Sequence, residues 1–365
     1  MSYNIKRIVV ITTMLLSSII IFLPTTCSGE TLRFVFMADS RGDSLSDLID
    51  TDVLNAINAK ILSLSPRPTF VIFGGDMAYR GYCNDSYNFQ AFKDAMKSLT
   101  DAGIKLYTVL GNHELYKEGT TGFSLANQQE FQKVFTDNPA NGPAGYERLV
   151  YSFESPAGEA FFAALDCYYL AADDPNPGLN QEGDTSLYGY IDDTQRTWLA
   201  NQVAKTKAIH KFVFTHAPYY QVNSPQSDQN TSYTELWKVL DDNRFDVYFC
   251  GHVHLFSRKT ICSNLAPNPQ ISPAVTWKHN VTQVITGTCG APVDTSPINP
   301  DINREEWHIF NQPNTYYFSV VDIDGQNKAR ITSYKGSTAD YQPFDSFVAG
   351  GSSAPIGSYL LLLGN

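Results

Sequence analysis

The chain has 365 residues, 43% of them hydrophobic and 13% aromatic, which is ample for a packed core in one large domain or two small ones. With 26 Lys and Arg against 37 Asp and Glu the formal net charge is −11. Nucleic acid is therefore a poor default partner, because phosphate backbones are held by basic surfaces, whereas an acidic protein can still act on phosphates if bound cations supply the positive field locally.

At the N-terminus Lys6 and Arg7 precede an apolar stretch from Ile8 to Leu23, followed by Pro24 and small residues to Gly29. This is the order of a secretory signal peptide, assigned to 1–28, and it predicts export to the periplasm or the exterior. As a membrane anchor the run is short and interrupted by Ser and Thr, so no span is expected after cleavage. Cleavage near Ser28 removes Lys6 and Arg7 and takes the charge from −11 to −13. Lipidation of Cys27 is the lesser alternative. None of the six cysteines forms a Cys-x-x-Cys pair, which argues against a zinc–thiolate site. Cys262 and Cys289 are candidates for a bridge that the sequence leaves open.

Leu32 to Ala38 reads as a strand ending at Asp39. Ile49, Val53, Ile57, Ile61 and Leu64 recur every three or four residues, which predicts a core-facing helix stopped by Pro66 and Pro68. Thr69 to Phe73 is a second strand, ending at Gly74-Gly75-Asp76. A helix over Tyr87 to Leu99 leads to a third strand, Lys105 to Leu110, and to Gly111-Asn112-His113-Glu114. This alternation predicts parallel strands joined by crossovers, with ligand groups gathered beyond their carboxyl ends.

Residues 115–147 read as a long loop with a short helix, Leu149 to Phe153 and Ala160 to Leu165 as a strand pair, and Asp173 to Gly189 as an exposed excursion. A helix with Trp198, Leu199 and Val203 precedes a strand, Ile209 to Thr215, that ends at His216. Another helix, about Tyr233 to Leu240, precedes Asp246 to Cys250, which ends at Gly251-His252-Val253-His254. Later strands are Val281 to Thr286, Tyr316 to Ile323 and Lys328 to Ser333, with Asp324-Gly325 as a hairpin turn. The tail, 341–365, is rich in Gly and Ser. It reads as a disordered end or an added edge strand. The intervening 29–340 reads as one domain.

Five strand ends thus carry oxygen and imidazole ligands: Asp39, Asp76, Asn112, His216, and the pair His252 and His254. Hard carboxylates mixed with imidazoles suit first-row divalent metals or iron rather than calcium. Any one of these residues alone reads equally well as a helix cap or a hydrogen-bonded loop residue. The weight lies in the set, which together with His113 of the Gly111-Asn112-His113-Glu114 stretch holds four of the seven histidines in one chain order.

That order, an Asp motif, Gly-Asp, Gly-Asn-His-Glu, an isolated His and Gly-His-x-His, resembles the calcineurin-like metallophosphoesterase superfamily over roughly residues 31–335. The resemblance implies an α/β fold, a four-layer α/β/β/α sandwich of two mixed β-sheets flanked by helices. It implies a hydrolase acting on phosphoric esters through hydroxide activated by two metal ions, iron with zinc, manganese or iron, on a small phosphorylated substrate. Asp39, Asp76 and His254 would hold one metal, and Asp76, Asn112, His216 and His252 the other. His113 would contact the phosphate or protonate the leaving group.

Two departures matter. Where most members have Asp-x-His, Arg41 stands in place of the histidine. The second motif, Gly75-Asp76-Met77-Ala78-Tyr79, resembles that of purple acid phosphatases, in which a tyrosine binds ferric iron. Tyr79 would then complete the first metal shell, and Arg41 would clamp phosphate through its planar fork or pair with Asp43. The further histidines that purple acid phosphatases carry after the isolated one are missing. Tyr219, Tyr220 and His279 are the remaining residues considered for the pocket, whereas His210 and His308 read as structural. The expectation is a phosphomonoesterase of acid phosphatase type. A phosphodiesterase or nucleotidase, or a catalytically silent member that binds phosphate or a partner, are the alternatives.

Overall fold

A computed structural model describes residues 32–80, 87–116, 122–171, 180–181, 189–220, 222, 231–261, 277–295, 298, 307–324 and 328–350. The expected signal peptide, Cys83, Cys262, the turn at Gly325, nearly all of the 173–189 excursion and the last 15 residues of the tail lie outside them. In chain order the elements are β1 (Leu32–Met37), β2 (Arg41–Ser44), β3 (Asp47–Ile49), α1 (Thr51–Ser63), β4 (Phe70–Phe73), α2 (Tyr87–Ala95), α3 (Lys97–Asp101) and β5 (Lys105–Thr108). They continue with α4 (Leu125–Val134), β6 (Tyr151–Glu154), β7 (Ala160–Ala164), β8 (Leu170–Ala171), β9 (Asn180–Gln181), α5 (Asp193–Val203), β10 (His210–Phe214) and α6 (Thr231–Asp242). The chain closes with β11 (Val247–Cys250), β12 (Phe256–Ile261), β13 (Val281–Thr286), β14 (Tyr316–Ile323), β15 (Ala329–Gly336) and β16 (Gln342–Ala349).

Two six-stranded sheets result, ordered β16-β15-β14-β1-β4-β5 and β12-β13-β11-β10-β7-β6. β1, β4 and β5 are parallel neighbours, as the alternation of strands and helices predicts. In the second sheet β7, β10, β11 and β13 are parallel. Both sheets are mixed, because β14 to β16 in one and β12 and β6 in the other run antiparallel to their neighbours.

Side-chain alternation explains the layering. Successive residues of a strand face opposite sides. Phe34 and Phe36 of β1, Phe70 of β4, Phe162 of β7, Phe212 and Phe214 of β10 and Phe249 of β11 share one buried cluster between the sheets. Their neighbours Val35, Met37, Val71, Phe161, Val213 and Tyr248 belong to a second cluster with the apolar faces of the helices, Val53, Ile57 and Ile61 of α1 and Trp198, Leu199, Trp237 and Leu240 of α5 and α6. The layers are therefore helix, sheet, sheet, helix. The inter-sheet layer is largely phenylalanine: the Phe34 ring lies 5.2 Å from Phe162 edge to face, and Phe214 stacks on Phe249 at 5.5 Å.

α1 begins where Asp50 accepts the Val53 amide at 3.1 Å, which satisfies one of the otherwise unpaired first-turn N–H groups. Some elements differ from expectation. The helix predicted over Tyr87 to Leu99 is two pieces, broken at Met96. The β2–β3 hairpin and β12 are additional. Residues 342–349 of the tail form the outermost strand of the first sheet, the added edge strand that is one of the two readings of that segment. They are held there because Phe344 packs on Phe256 at 4.8 Å and Asp345 takes both Nε and Nη2 of Arg258. No helix among the described residues is long and apolar enough to cross a membrane.

Phe34 touches four phenylalanines from the opposite sheet and is fully buried. Phe34→Ala is expected to lower the unfolding free energy by about 3–5 kcal/mol, as large-to-small changes in a packed core do. Denaturant titration followed by tryptophan fluorescence measures it, and a loss under about 1 kcal/mol contradicts the packing described.

Candidate metal centre

The parallel strands of both sheets end at one edge, and the loops that follow bring the candidate residues together. β1 runs into Asp39, β4 into Asp76, β5 into Asn112, β10 into His216 and β11 into His252 and His254. The backbone is unusual there. Asp39, Asp76 and His252 all have positive φ, at 62°, 53° and 67°. Non-glycine residues seldom adopt that region, and such strain gathers at functional sites. The bends admit close approach: a Cβ at Gly251 would sit 2.3 Å from Asp39 Oδ2, so only glycine fits before His252.

The loops are clipped to one another. Asp39 donates its amide to the Gly75 carbonyl at 3.0 Å, and Arg41 does so to Asp76 at 3.1 Å. The Asp39 carboxylate accepts the His252 amide at 3.1 Å, joining positions 213 residues apart. Fully buried Glu114 accepts three amides, from Asp76 at 2.9 Å, Met77 at 2.7 Å and Gly111 at 2.8 Å. It is a brace between two loops, and the sequence reading gave it no such role.

Two triads form. Asp76, His216 and His252 offer ligand atoms that all lie within 4.8 Å of one another, as do Asp39, Asp76 and His254. Asp76 belongs to both. The Nε2 of His216 lies 3.3 Å from Asp76 Oδ1 and 3.9 Å from Asp39 Oδ1, and His254 Nε2 lies 3.6 Å from Asp39 Oδ1. Asn112 joins through its Oδ1, 3.1 Å from His252 Nδ1.

The histidine ring orientations fit cations. His216 Nδ1 donates to the Gly74 carbonyl at 2.7 Å, and His254 Nδ1 to that of Pro292 at 2.8 Å. Each leaves Nε2 facing carboxylates, the arrangement by which an outer hydrogen bond fixes a metal-binding tautomer. His216 Nε2 is buried and has no hydrogen-bond partner among the described residues, an orphan that a cation would satisfy.

Electrostatics agree. Burial would raise Asp76, yet His216, His113 and Arg41 hold it well below the usual carboxylate range. Burial opposes a charged His216, but Asp76 and Asp39 lift it to about 9. Burial and then His216 drive His252 down to about 3, leaving a neutral imidazole. Burial, with Asp76 beside it, pushes Glu114 up to about 7. Anionic charge is thus concentrated on Asp76, held by the imidazoles and the guanidinium that face it.

The other sequence candidates have definite places. Arg41 brings Nε to 3.8 Å from Asp76 Oδ2, buried and without a hydrogen-bond partner among the described residues. The guanidinium thus faces Asp76, so the expected alternative of a surface pair with Asp43 gives way to this contact. His113 points Nε2 at the same oxygen, 4.0 Å away, and holds Nδ1 at 2.6 Å from the Tyr79 carbonyl. Tyr79 stands next to the cluster, its ring 6.0 Å from that of His113 and 5.5 Å from the Arg80 guanidinium. Tyr219 and Tyr220 pack instead on Trp237, at 5.3 and 5.6 Å, and His279 binds the Asp241 carbonyl. His210 pairs with Asp246 at 3.0 Å, and His308 lies 3.4 Å from Asp345. Cys289 is a free, buried thiol. Tyr168, unassigned from sequence, sets its hydroxyl 3.4 Å from His252 Nδ1. It follows β7, on the same edge as the other groups, and that position is the one signal that could have found it.

Comparison with known proteins places this geometry. The family model described as calcineurin-like phosphoesterase matches residues 32–256, a span that contains all five ligand-bearing strand ends. Comparison with curated protein sequences finds no match. Among solved structures, the purple acid phosphatase PPD1 from yellow lupin (Lupinus luteus) seeds shares the fold with a TM-score of 0.58 and 16% identity, over 88% of this chain and 54% of its own. The chain therefore spans about half the length of that enzyme. GAP50, the anchor in the inner membrane complex of Plasmodium, aligns with a TM-score of 0.55 and 15% identity, over 89% of this chain and 90% of its own. A dimetal phosphatase from Danio rerio aligns with a TM-score of 0.54 and 13% identity, over 86% and 98%. At such identities these structures establish the shared fold, and the family match, covering more than half of the sequence, establishes the rest: this chain belongs to the calcineurin-like phosphoesterases.

Proposed function

We propose that this phosphoesterase is an exported phosphomonoesterase of acid phosphatase type, its domain spanning 29–340 behind a signal peptide at 1–28 and extended by the edge strand β16. The observation that carries the reading is the pair of triads sharing Asp76, with Arg41 and His113 both directed at Asp76 Oδ2. Asp39, Asp76 and His254 would hold one metal and Asp76, Asn112, His216 and His252 the other. When bound, the two cations supply Lewis acidity and make water nucleophilic near neutral pH.

The chain's own groups do the rest. Arg41 offers a planar fork for two oxygens of a phosphate dianion. The fork approaches the site from the Asp76 side, and the phosphate is thereby oriented toward it. His113 keeps its Nδ1 proton on the Tyr79 carbonyl, so Nε2 is the atom that carries a proton to the departing alkoxide. Glu114 and Asp39 hold the loops in register through backbone amides, so these side chains need no rearrangement at the moment of reaction.

The monoester reading rests on Tyr79, proposed to complete the first metal position, with iron there and zinc, manganese or iron in the second. A second reading has one observation in its favour. A guanidinium 3.8 Å from Asp76 stands where a cation would approach, and a metal-poor member that binds phosphorylated ligands without turning them over would keep it.

Three outcomes follow. Metal-loaded protein is expected to hydrolyse p-nitrophenyl phosphate far faster than its bis-ester, and His113→Gln to slow an alkyl phosphate about 10²-fold more than the nitrophenyl ester, whose leaving group needs no proton. Steady-state assays decide, and a diester preference selects the phosphodiesterase alternative. Iron-loaded wild type is expected to show a tyrosinate charge-transfer band in the visible that Tyr79→Phe abolishes. The same band in the variant contradicts the ligand role. Absence of turnover with one metal or none per chain selects the silent reading.

A further inference from the structure

Tyr168 is nearly fully buried, and its ring packs between two candidate ligands of the second metal position, 5.8 Å from His216 and 6.0 Å from His252 between centroids. Its hydroxyl and Asn112 Oδ1 both address one atom, His252 Nδ1, from 3.4 and 3.1 Å. A ring nitrogen carries either a proton or a lone pair in its plane, never both. Asn112 Oδ1 can only accept. A protonated Nδ1 therefore serves Asn112, and a bare Nδ1 serves the Tyr168 proton. Once a cation takes that lone pair, the phenol loses its acceptor while remaining buried, and a buried hydroxyl without a partner is costly.

An oxygen of a bound phosphate ester would supply that acceptor. We propose, resting on the phosphoesterase reading, that Tyr168 is a substrate-contacting residue whose hydroxyl donates a hydrogen bond to a phosphoryl oxygen at the second metal position. It stands on the His252 side of the site, whereas Arg41 and His113 stand on the side of Asp76 Oδ2, so the phosphoryl group is held from both. Phenol donors are directional and neutral, so the contact adds no charge beside the cations. It discriminates by geometry: a group with a free oxygen pointing at Tyr168 gains the bond, and one whose oxygen there is esterified gains less.

The test compares metal-loaded wild type and Tyr168→Phe, which removes a single oxygen. Metal content is measured by elemental analysis and affinity for inorganic phosphate by calorimetry. The expected result is unchanged metal content with phosphate bound about tenfold more weakly, the scale of one hydrogen bond to a charged acceptor. Unchanged phosphate affinity overturns the proposal. So does loss of metal in the variant, which would make Tyr168 a support for His252 instead. Metal-loaded wild type that binds no phosphate contradicts the phosphoesterase reading itself, and this proposal with it. Should the variant fail to fold, a wild-type crystal soaked with phosphate decides, with the Tyr168 oxygen expected about 2.7 Å from a phosphate oxygen and a separation beyond about 3.5 Å overturning it.

Discussion

The structure depends on a concentration of buried negative charge. Asp39 and Asp76 are essentially inaccessible, yet each ends a central strand of a predominantly apolar layer. An isolated carboxylate in such surroundings is strongly disfavoured. It persists only with compensation, and compensation is what the surrounding loops supply. Asp39 receives the His252 amide, Asp76 receives the His113 amide at 2.9 Å, and Arg41, His113 and His216 crowd the remaining oxygens. None of these partners is as strong as a divalent cation at the same place. The unsatisfied Nε2 of His216 marks the deficit from the other side. The centre is best understood as a set of ligands whose burial makes sense with metal between them.

Bringing those groups together is the work of the phenylalanine layer. Candidate ligands come from β1, β4 and β5 in one sheet and β10 and β11 in the other. They meet only if the two sheets pack with the same strand ends at one edge. The rings of Phe34, Phe36, Phe162, Phe214 and Phe249 set that packing, since interlocked aromatic contacts resist sliding. Strand stability and site geometry are thus one property. The strained backbone at Asp39, Asp76 and His252 is sustained by this framework, with Glu114 and the Asp39 carboxylate fixing the loops by hydrogen bonds to main-chain amides.

Much of this was legible in the sequence, for a physical reason. In a sheet of parallel strands an apolar run followed within a few residues by a polar ligand places that ligand at the functional edge. Asp39, Asp76, Asn112, His216, His252 and His254 each obey that rule, and the structure assembles all of them. What escaped depends on partners far away in the chain. β12 went unread in the sequence, because nothing in Phe256–Ile261 announces that Arg258 is matched by Asp345, 87 residues later. The same pair holds β16, and it decides between the two readings of the tail, a disordered end or an added edge strand, in favour of the strand for 342–349. The bracing role of Glu114 and the place of Tyr168 against His252 escaped because a glutamate and a tyrosine after an apolar strand take their roles only from the atoms they face. The Arg41 hairpin was hidden by its length, four residues against three.

The central claim is that two cations share Asp76. Crystals of metal-loaded protein, measured by anomalous scattering at the metal absorption edge, test it most directly. The account predicts two peaks flanking the Asp76 carboxylate, one against Asp39 and His254, the other against Asn112, His216 and His252. A single peak or none, with the Arg41 guanidinium seated against Asp76 in its stead, would contradict it.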